Sequence, residues 1–242
     1  MKKKFEISLV VAVLVMLASC TTTNQAKSVK TNAFLGDSAA LLKKGGKNDA
    51  LLVYRKKGTD WKSYHAIILD PITIWGVESS TLSKDQLADF QKLVDQFNAM
   101  LEAKLSKDYT MTDTPSAGTM RIQIAIMDGQ KANGPLKTAM TVAPYIGTAD
   151  AIWTFATGKP VFAGEVSIEY MVKDSESQDV LAAGADRRVG GNQVGTTSLN
   201  NWNDVQNILI YWSDDAVYRL CLDRGASNCT APSSGLVENP LS

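Results

Sequence analysis

A long run of apolar residues at helical spacing limits this chain to folds in which a helix packs against another layer. Ser83 and Gln86 begin the run as a capping box, in which the Ser83 hydroxyl accepts a hydrogen bond from a first-turn amide while Gln86 reaches back. The pattern predicts an amphipathic helix of about six turns with one buried face. Its apolar positions are Leu87, Phe90, Leu93, Val94, Phe97, Leu101 and Leu105.

Segments in which apolar residues alternate with polar ones, or run together, predict the strands that this helix covers. They are 50–54, 64–69, 72–75, 120–126, 162–172 and 180–188. A polar hairpin turn at 174–179 joins the last two strands, and a second long helix is expected over 202–222, with Gly225 as its stop. This order predicts an α+β fold, a two-layer sandwich with a mostly antiparallel sheet and both long helices on one face.

The connection over 134–158 is long and unusually apolar. We expect it to form a helical excursion packed on the sheet edge, and the alternative is an exposed apolar surface for a partner or a lipid. Its apolar residues are Met140, Val142, Tyr145, Ile146, Ile152, Trp153 and Phe155.

The first 20 residues have the layout of an export signal. Lys2–Lys4 form a cationic head, residues 7–18 are apolar except for Ser8, and Leu17–Cys20 ends the segment. The apolar run is too short to span a bilayer, which takes roughly 20 residues, but it suits a signal peptide. Its ending resembles the lipobox of bacterial lipoproteins, which implies acylation of Cys20, cleavage before it and stable membrane anchoring by more than one acyl chain.

This interpretation predicts the organisation of the whole chain. The segments are a signal peptide (1–19), a lipid-anchored flexible tether (20–33), a single α+β domain (34–225) and a C-terminal tail (226–242). Thr21 stands where an Asp would resemble an inner-membrane retention signal, so we expect the outer membrane, with the domain on its periplasmic face. The alternative is an ordinary signal peptide, or an uncleaved anchor, in which Cys20 occurs by chance.

Of the two remaining cysteines, Cys221 lies in the last turn of the second predicted helix and Cys229 lies beyond it, with seven residues between them. In an oxidising periplasm such a pair predicts a short-loop disulfide that staples the tail to that helix. Closing so small a loop stabilises by roughly 2–3 kcal/mol in the chain-entropy description. A redox-active or metal-binding pair is the weaker alternative, because the spacing is not C-x-x-C and no His lies nearby.

The chain offers no recognised set of catalytic or metal-binding residues. His65 is its only histidine, so no metal site with two His ligands can form within one chain. Glu165 and Glu169 share a strand face but are separated by about 13–14 Å, too far for a glycosidase-type acid–base pair. Asp214 and Asp215 are interpreted as part of a solvated helix face. We therefore expect no enzyme activity, no metal and no cofactor.

Arg187 and Arg188 are the candidate contact to an anion or a partner. They follow Asp186 at the end of a strand, and two guanidinium forks can bind a carboxylate or a phosphate. The simpler interpretation is that one of them pairs with Asp186 or another acid. Nucleic acid is not expected as a partner, because 25 basic side chains balance 25 acidic ones.

Several short motifs, taken in order, resemble a family of bacterial lipoproteins described only as domain of unknown function 3313. They are Phe34–Asp37, Asp60–Tyr64, Ile68–Pro71 with Trp75, Gly158–Phe162 with Gly164, Asp186–Arg188, and Trp202 with Tyr211–Trp212. The resemblance spans about Phe34 to Leu220 and implies an exported, lipid-anchored envelope protein. It implies no activity, and no catalytic residues can be carried over from it.

Three hypotheses about function remain open at this stage. The first is a non-enzymatic accessory or docking subunit that faces the periplasm, held to the membrane through Cys20 and partnered by another envelope protein. The second is a module that binds a small apolar ligand or a lipid through Met140–Phe155, and the third is an enzyme of unrecognised type around Asp186–Arg188. The oligomeric state is left open.

Overall fold

The computed structural model describes residues 23–46, 48–75, 84–127, 139–141, 165–189 and 201–232. The predicted signal peptide and Cys20 lie outside these ranges. The strands are β1 (Asn24–Gln25), β2 (Lys43–Lys44), β3 (Leu52–Arg55), β4 (Ala66–Leu69), β5 (Thr73–Trp75), β6 (Thr110–Met111), β7 (Thr119–Met127), β8 (Ala139–Thr141), β9 (Glu165–Asp174) and β10 (Val180–Val189). The helices are α1 (Lys84–Leu105) and α2 (Asn201–Asp223), with 3-10 helices at Ala33–Leu41 and Trp61–Ser63.

All ten strands belong to one sheet, and the expectation of a mostly antiparallel sheet is wrong because this sheet is mixed. Its main path runs β2-β3-β10-β9-β7-β4-β6, with β1 beside β10 and β5 between β7 and β8. The pairs β4/β6, β4/β7 and β5/β7 are parallel. The physical reason is α1, which follows β5 and carries the chain across the sheet, so that β7 starts again in the direction of β4 and β5.

The strands β4 and β5 pair one after the other along the same edge of β7. Ala66 pairs with Thr119, and Thr73 pairs with Ala125, so one extra residue separates the two registers. The break falls at Asp70–Pro71, where Pro71 has no amide to donate to a ladder. The sequence expectation of strands on both sides of this dipeptide is confirmed.

Both long helices contribute to one core on the inner face of the sheet. Five of the predicted apolar positions of α1 are buried there, and the side chains of Leu87 and Phe90 lie outside the described residues. The buried core residues of the helices are Leu93, Val94, Phe97, Leu101, Leu105, Val205, Ile208, Leu209, Trp212 and Leu220. They pack against inward side chains of β7, β9 and β10, such as Ile122, Ile168 and Ala182.

The helix α2 ends as its sequence predicts. Gly225 has φ +70, which glycine adopts without a steric cost. Its amide donates to the Leu222 carbonyl, and the Ala226 amide donates to the Cys221 carbonyl, a Schellman-type ending. Directly beside it, Cys221 and Cys229 form a disulfide with Cα atoms 5.6 Å apart. The tail is thereby held against the end of α2.

Little of the apolar connection lies in the described part of the chain. Ala139–Thr141 form β8, which pairs antiparallel with β5, so these three residues are strand where a helix was expected. The remainder of 134–158, with most of Met140–Phe155, lies outside the described residues. Among the described residues, no helix has a stretch apolar enough to cross a bilayer.

Candidate functional site

A cavity of about 90 Å³ lies between the inner face of the sheet and the two long helices. Apolar side chains of the core form most of its wall, and charged side chains from α2 and β3 form its rim. The lining residues include Phe97, Ile124, Tyr170, Ala216, Arg219 and Asp223. A concave apolar space with a few polar groups at one end is the usual form of a small-molecule site.

The position of Tyr170 in this cavity depends on a glycine on the neighbouring strand. Tyr170 of β9 pairs with Gly184 of β10, and both face the helices. A Cβ atom at position 184 would lie 2.5 Å from the Tyr170 hydroxyl oxygen, so only glycine leaves room for the ring to extend over β10. The absence of a side chain at Gly184 therefore creates the space that Tyr170 occupies.

The Tyr170 hydroxyl has no hydrogen-bond partner among the described residues. Arg55 and Arg219 lie close enough to influence it, but burial has the largest effect and raises the pKa of Tyr170 to about 12. The phenol is therefore protonated at any physiological pH. It presents an unused O–H donor to the cavity.

Ion pairs hold the charged rim in place. Arg55 pairs with Asp223, and Arg219 pairs both with Asp49 and, at 3.2 Å, with Asp215 one helical turn away. Burial raises the pKa of the Asp215 and Asp223 carboxyls, and the guanidinium groups of Arg219 and Arg55 oppose that effect. The prediction that Asp215 lies on a solvated helix face is therefore wrong, because its side chain is only 19% exposed.

The guanidinium of Arg219 is not fully satisfied by these pairs. Its Nη1 and Nε contact Asp49 and Asp215, whereas its Nη2 is buried and has no acceptor among the described residues. Arg219 and Tyr170 both line the cavity. Two residues that line the cavity therefore each have a donor without a protein acceptor.

Asp186 also lines the cavity, but both of its carboxylate oxygens already accept hydrogen bonds from the protein. It is 4% exposed and accepts from Gln25 Nε2 at 2.7 Å, from the Leu51 amide at 3.3 Å and from Trp212 Nε1 at 2.9 Å. The first donor belongs to β1, the second to the turn that precedes β3, and the third to α2. Asp186 therefore connects three parts of the fold to β10, and its role is structural.

The two arginines proposed as a charged contact are not brought together. Successive residues of a strand point to opposite faces, so Arg188 shares the inner face with Asp186 while Arg187 faces the other way. Arg188 is buried, lies 3.5 Å from the centre of the Tyr211 ring and donates to Thr23 at 2.7 Å. Its distance to Asp186 is 4.0 Å. Arg188 thus binds the start of the described chain rather than an external anion.

The other residues singled out from sequence lie away from this cavity. His65 is exposed just before β4, with Nδ1 3.2 Å from the Ser63 carbonyl oxygen. Asp214 pairs with Lys104 at 2.5 Å. No cluster of three potential metal ligands occurs among the described residues.

Only one contact of this site could be predicted from a sequence pattern. Asp215 and Arg219 are four residues apart on a helix, a spacing that predicts an ion pair. Tyr170 and Gly184 carry no such signal, because their contact depends on the pairing of two strands. Reasoning from sequence therefore missed the cavity and its donors.

Comparisons with known proteins give a family but no activity. The sequence profile of the family described as "Protein of unknown function (DUF3313)" matches residues 30–216. No curated protein matches the chain. The solved structures with some likeness include a PelC dodecamer from Paraburkholderia phytofirmans, which is 12% identical, with 73% of this chain and 98% of that chain covered and a TM-score of 0.32.

A DUF4136 family protein from Bacteroides thetaiotaomicron is similarly distant. It is 12% identical, with 64% of this chain and 88% of that chain covered and a TM-score of 0.30. Likeness at this level supports no conclusion about the activity or the assembly of the present chain.

Proposed function

The chain belongs to the DUF3313 family of proteins of unknown function, and on that premise we propose that it is a lipid-anchored envelope protein that binds one small, largely apolar molecule. The observation that carries the proposal is the cavity of about 90 Å³ between α1, α2 and the sheet. Well-packed cores leave few voids larger than a water molecule, so a space of this size has a cost in stability that a ligand would remove.

The wall of the cavity favours an apolar occupant. Phe97 and Leu101 of α1 face Ile122 and Ile124 of β7 across it. An enclosed engineered cavity of about 150 Å³ lined by such apolar side chains stays dry and binds benzene. A ligand as large as a benzene ring would fill most of the present space.

Binding suits this site better than catalysis. The ionisable groups on the rim are held in ion pairs, such as Arg55–Asp223 and Arg219–Asp215, and both carboxylate oxygens of Asp186 accept hydrogen bonds from the protein. A general base needs a free lone pair directed at a substrate. We therefore propose an accessory, non-enzymatic role.

Docking onto another envelope protein is a weaker proposal for the described surface. Leu41 and Leu222, at 43% and 44%, are the only exposed large apolar side chains in the described ranges. Interfaces that form stable complexes concentrate apolar and aromatic residues at their centre. A partner would have to use polar contacts or residues outside these ranges.

Occupancy of the cavity can be tested directly on the full-length chain. The protein is purified from membranes into amphipol, denatured and extracted, and the extract is analysed by mass spectrometry for a stoichiometric small molecule. Ala216→Leu fills the cavity and should abolish occupancy, whereas Ala99→Leu on the exposed face of α1 should not. An empty wild-type chain that also takes up no added apolar probe, or equal occupancy in both variants, contradicts the proposal.

The anchor is tested separately. Cys20→Ser should remove labelling by radioactive palmitate and shift the protein out of the membrane fraction, because the acyl chains supply the membrane affinity. Unchanged labelling and fractionation would exclude Cys20 as the anchor and leave the cavity proposal intact.

A further inference from the structure

The polar end of the cavity contains donors without acceptors. Arg219 Nη2 is buried and has no acceptor among the described residues, the Tyr170 hydroxyl makes no hydrogen bond to them, and both residues line the same space. A buried donor that finds no acceptor carries a desolvation penalty. A ligand oxygen that accepts from these groups would relieve it.

Charge at the rim favours a neutral ligand. The lining residues include two cations, Arg55 and Arg219, and three carboxylates, Asp186, Asp215 and Asp223. An anionic ligand would enter a site with net negative charge, where like charges disfavour binding. A cationic ligand could offer donors to the carboxylates, but it would leave the two unused donors unpaired.

The space also limits the size of the ligand. A cavity of about 90 Å³ holds a ring or a short branched chain, and the apolar walls fit its body. The polar group must then be small and lie at the end nearest Tyr170 and Arg219. We propose, resting on the binding role above, that the natural ligand is a small neutral apolar molecule carrying one carbonyl oxygen, which accepts hydrogen bonds from Tyr170 and Arg219.

Four probes of nearly equal size test this class. Toluene has no acceptor, benzaldehyde has a neutral carbonyl, benzoate is anionic and benzylamine is cationic. Each is titrated into the full-length chain in amphipol, and its affinity is taken from the rise in melting temperature with ligand concentration. Benzaldehyde should bind more tightly than toluene by about 3- to 10-fold for each of the two hydrogen bonds that it accepts. Benzoate and benzylamine should bind more weakly than benzaldehyde.

Tyr170→Phe is the decisive variant, because it removes the donor and keeps the ring. It should reduce the preference for benzaldehyde over toluene by about 3- to 10-fold, because only the hydrogen bond from Arg219 remains, while leaving the affinity for toluene unchanged. Tyr64→Phe is the matched control, since the Tyr64 hydroxyl donates to Asp174 and does not line the cavity. The control should keep the full preference for benzaldehyde.

The outcomes separate this inference from the proposed function. Equal affinity of wild-type protein for toluene and benzaldehyde overturns the carbonyl assignment while the binding role stands. Tighter binding of benzoate or benzylamine overturns the assignment of a neutral ligand. Binding of no probe at all removes the cavity as a ligand site, and with it both proposals.

Discussion

The two faces of β9 and β10 each bury a carboxylate, and they satisfy it in different ways. Asp186 lies on the inner face opposite Ile168, and Glu169 lies on the outer face opposite Ala185. Asp186 receives hydrogen bonds from two side chains and one amide. Glu169, with no exposed surface, accepts only backbone amides, and its Oε2 has no partner among the described residues.

The difference lies in what covers each face. On the inner face α2 supplies the indole N–H of Trp212 to Asp186. On the outer face the short helix Ala33–Leu41 supplies its own free amides, and the Asn32 amide donates to Glu169 at 2.5 Å. Burial raises the pKa of Glu169 to about 7, although the Asn32 and Leu35 amides oppose that rise. The inner face is thus held by a carboxylate that accepts three hydrogen bonds, and the outer face by a carboxyl whose pKa is raised to about 7.

Removing the inner carboxylate should have the largest effect. Asp186→Ala leaves Trp212 Nε1 and the Leu51 amide without an acceptor and Arg188 without its nearby acid. Breaking a buried, hydrogen-bonded charge of this kind costs about 3–5 kcal/mol of unfolding free energy. Urea denaturation of the full-length chain measures this, and Asp113→Ala in an exposed loop serves as the control. A loss of under 1 kcal/mol would mean that Asp186 does not join these elements.

The carboxyl of Glu169 on the outer face should make the stability of the protein depend on pH. Its pKa is about 7 in the folded chain and 4.5 in the reference state, so the folded state binds the proton more tightly. Its stabilising contribution is fully present below about 4.5 and is lost as pH rises through about 7. Relative to Glu169→Gln, wild-type protein should therefore lose up to about 3 kcal/mol of stability between pH 4.5 and pH 8. Parallel stability curves for the two proteins would contradict a titrating Glu169.

The contrast between the faces also shows what sequence reasoning could reach. Periodicity located α1, α2 and the β9–β10 hairpin, because each is specified by side chains within one segment. The mixed pairing of β7 with β4 and β5 was missed, since it depends on where α1 returns the chain. Strand alternation alone would have separated Arg187 from Arg188. The contact between Tyr170 and Gly184 depends on the register in which two strands pair. It could therefore not be predicted from the pattern of residues within either strand.

Adding a methyl group at Gly184 should have a moderate effect that is confined to the inner face. The new Cβ would lie 2.5 Å from the Tyr170 hydroxyl oxygen, so the ring must move. Overpacking of this kind costs about 1–3 kcal/mol. Most of the loss should disappear in the background of Tyr170→Ala, because the clash then has no partner. An equal loss in both backgrounds would place the cost in the backbone of β10 and not in the ring.

The smallest effect should come from removing the hydroxyl that the inner face leaves unpaired. Tyr170→Phe deletes a group with no hydrogen-bond partner among the described residues, so the unfolding free energy should stay within about 0.5 kcal/mol of wild type or rise. Tyr64→Phe deletes a hydroxyl of the same type that donates to Asp174 at 2.9 Å, and it should cost about 1 kcal/mol. Urea denaturation of both variants gives the comparison. A larger loss for Tyr170→Phe would show that this hydroxyl is already bound within the protein, and the cavity would then have one free donor fewer to offer a ligand.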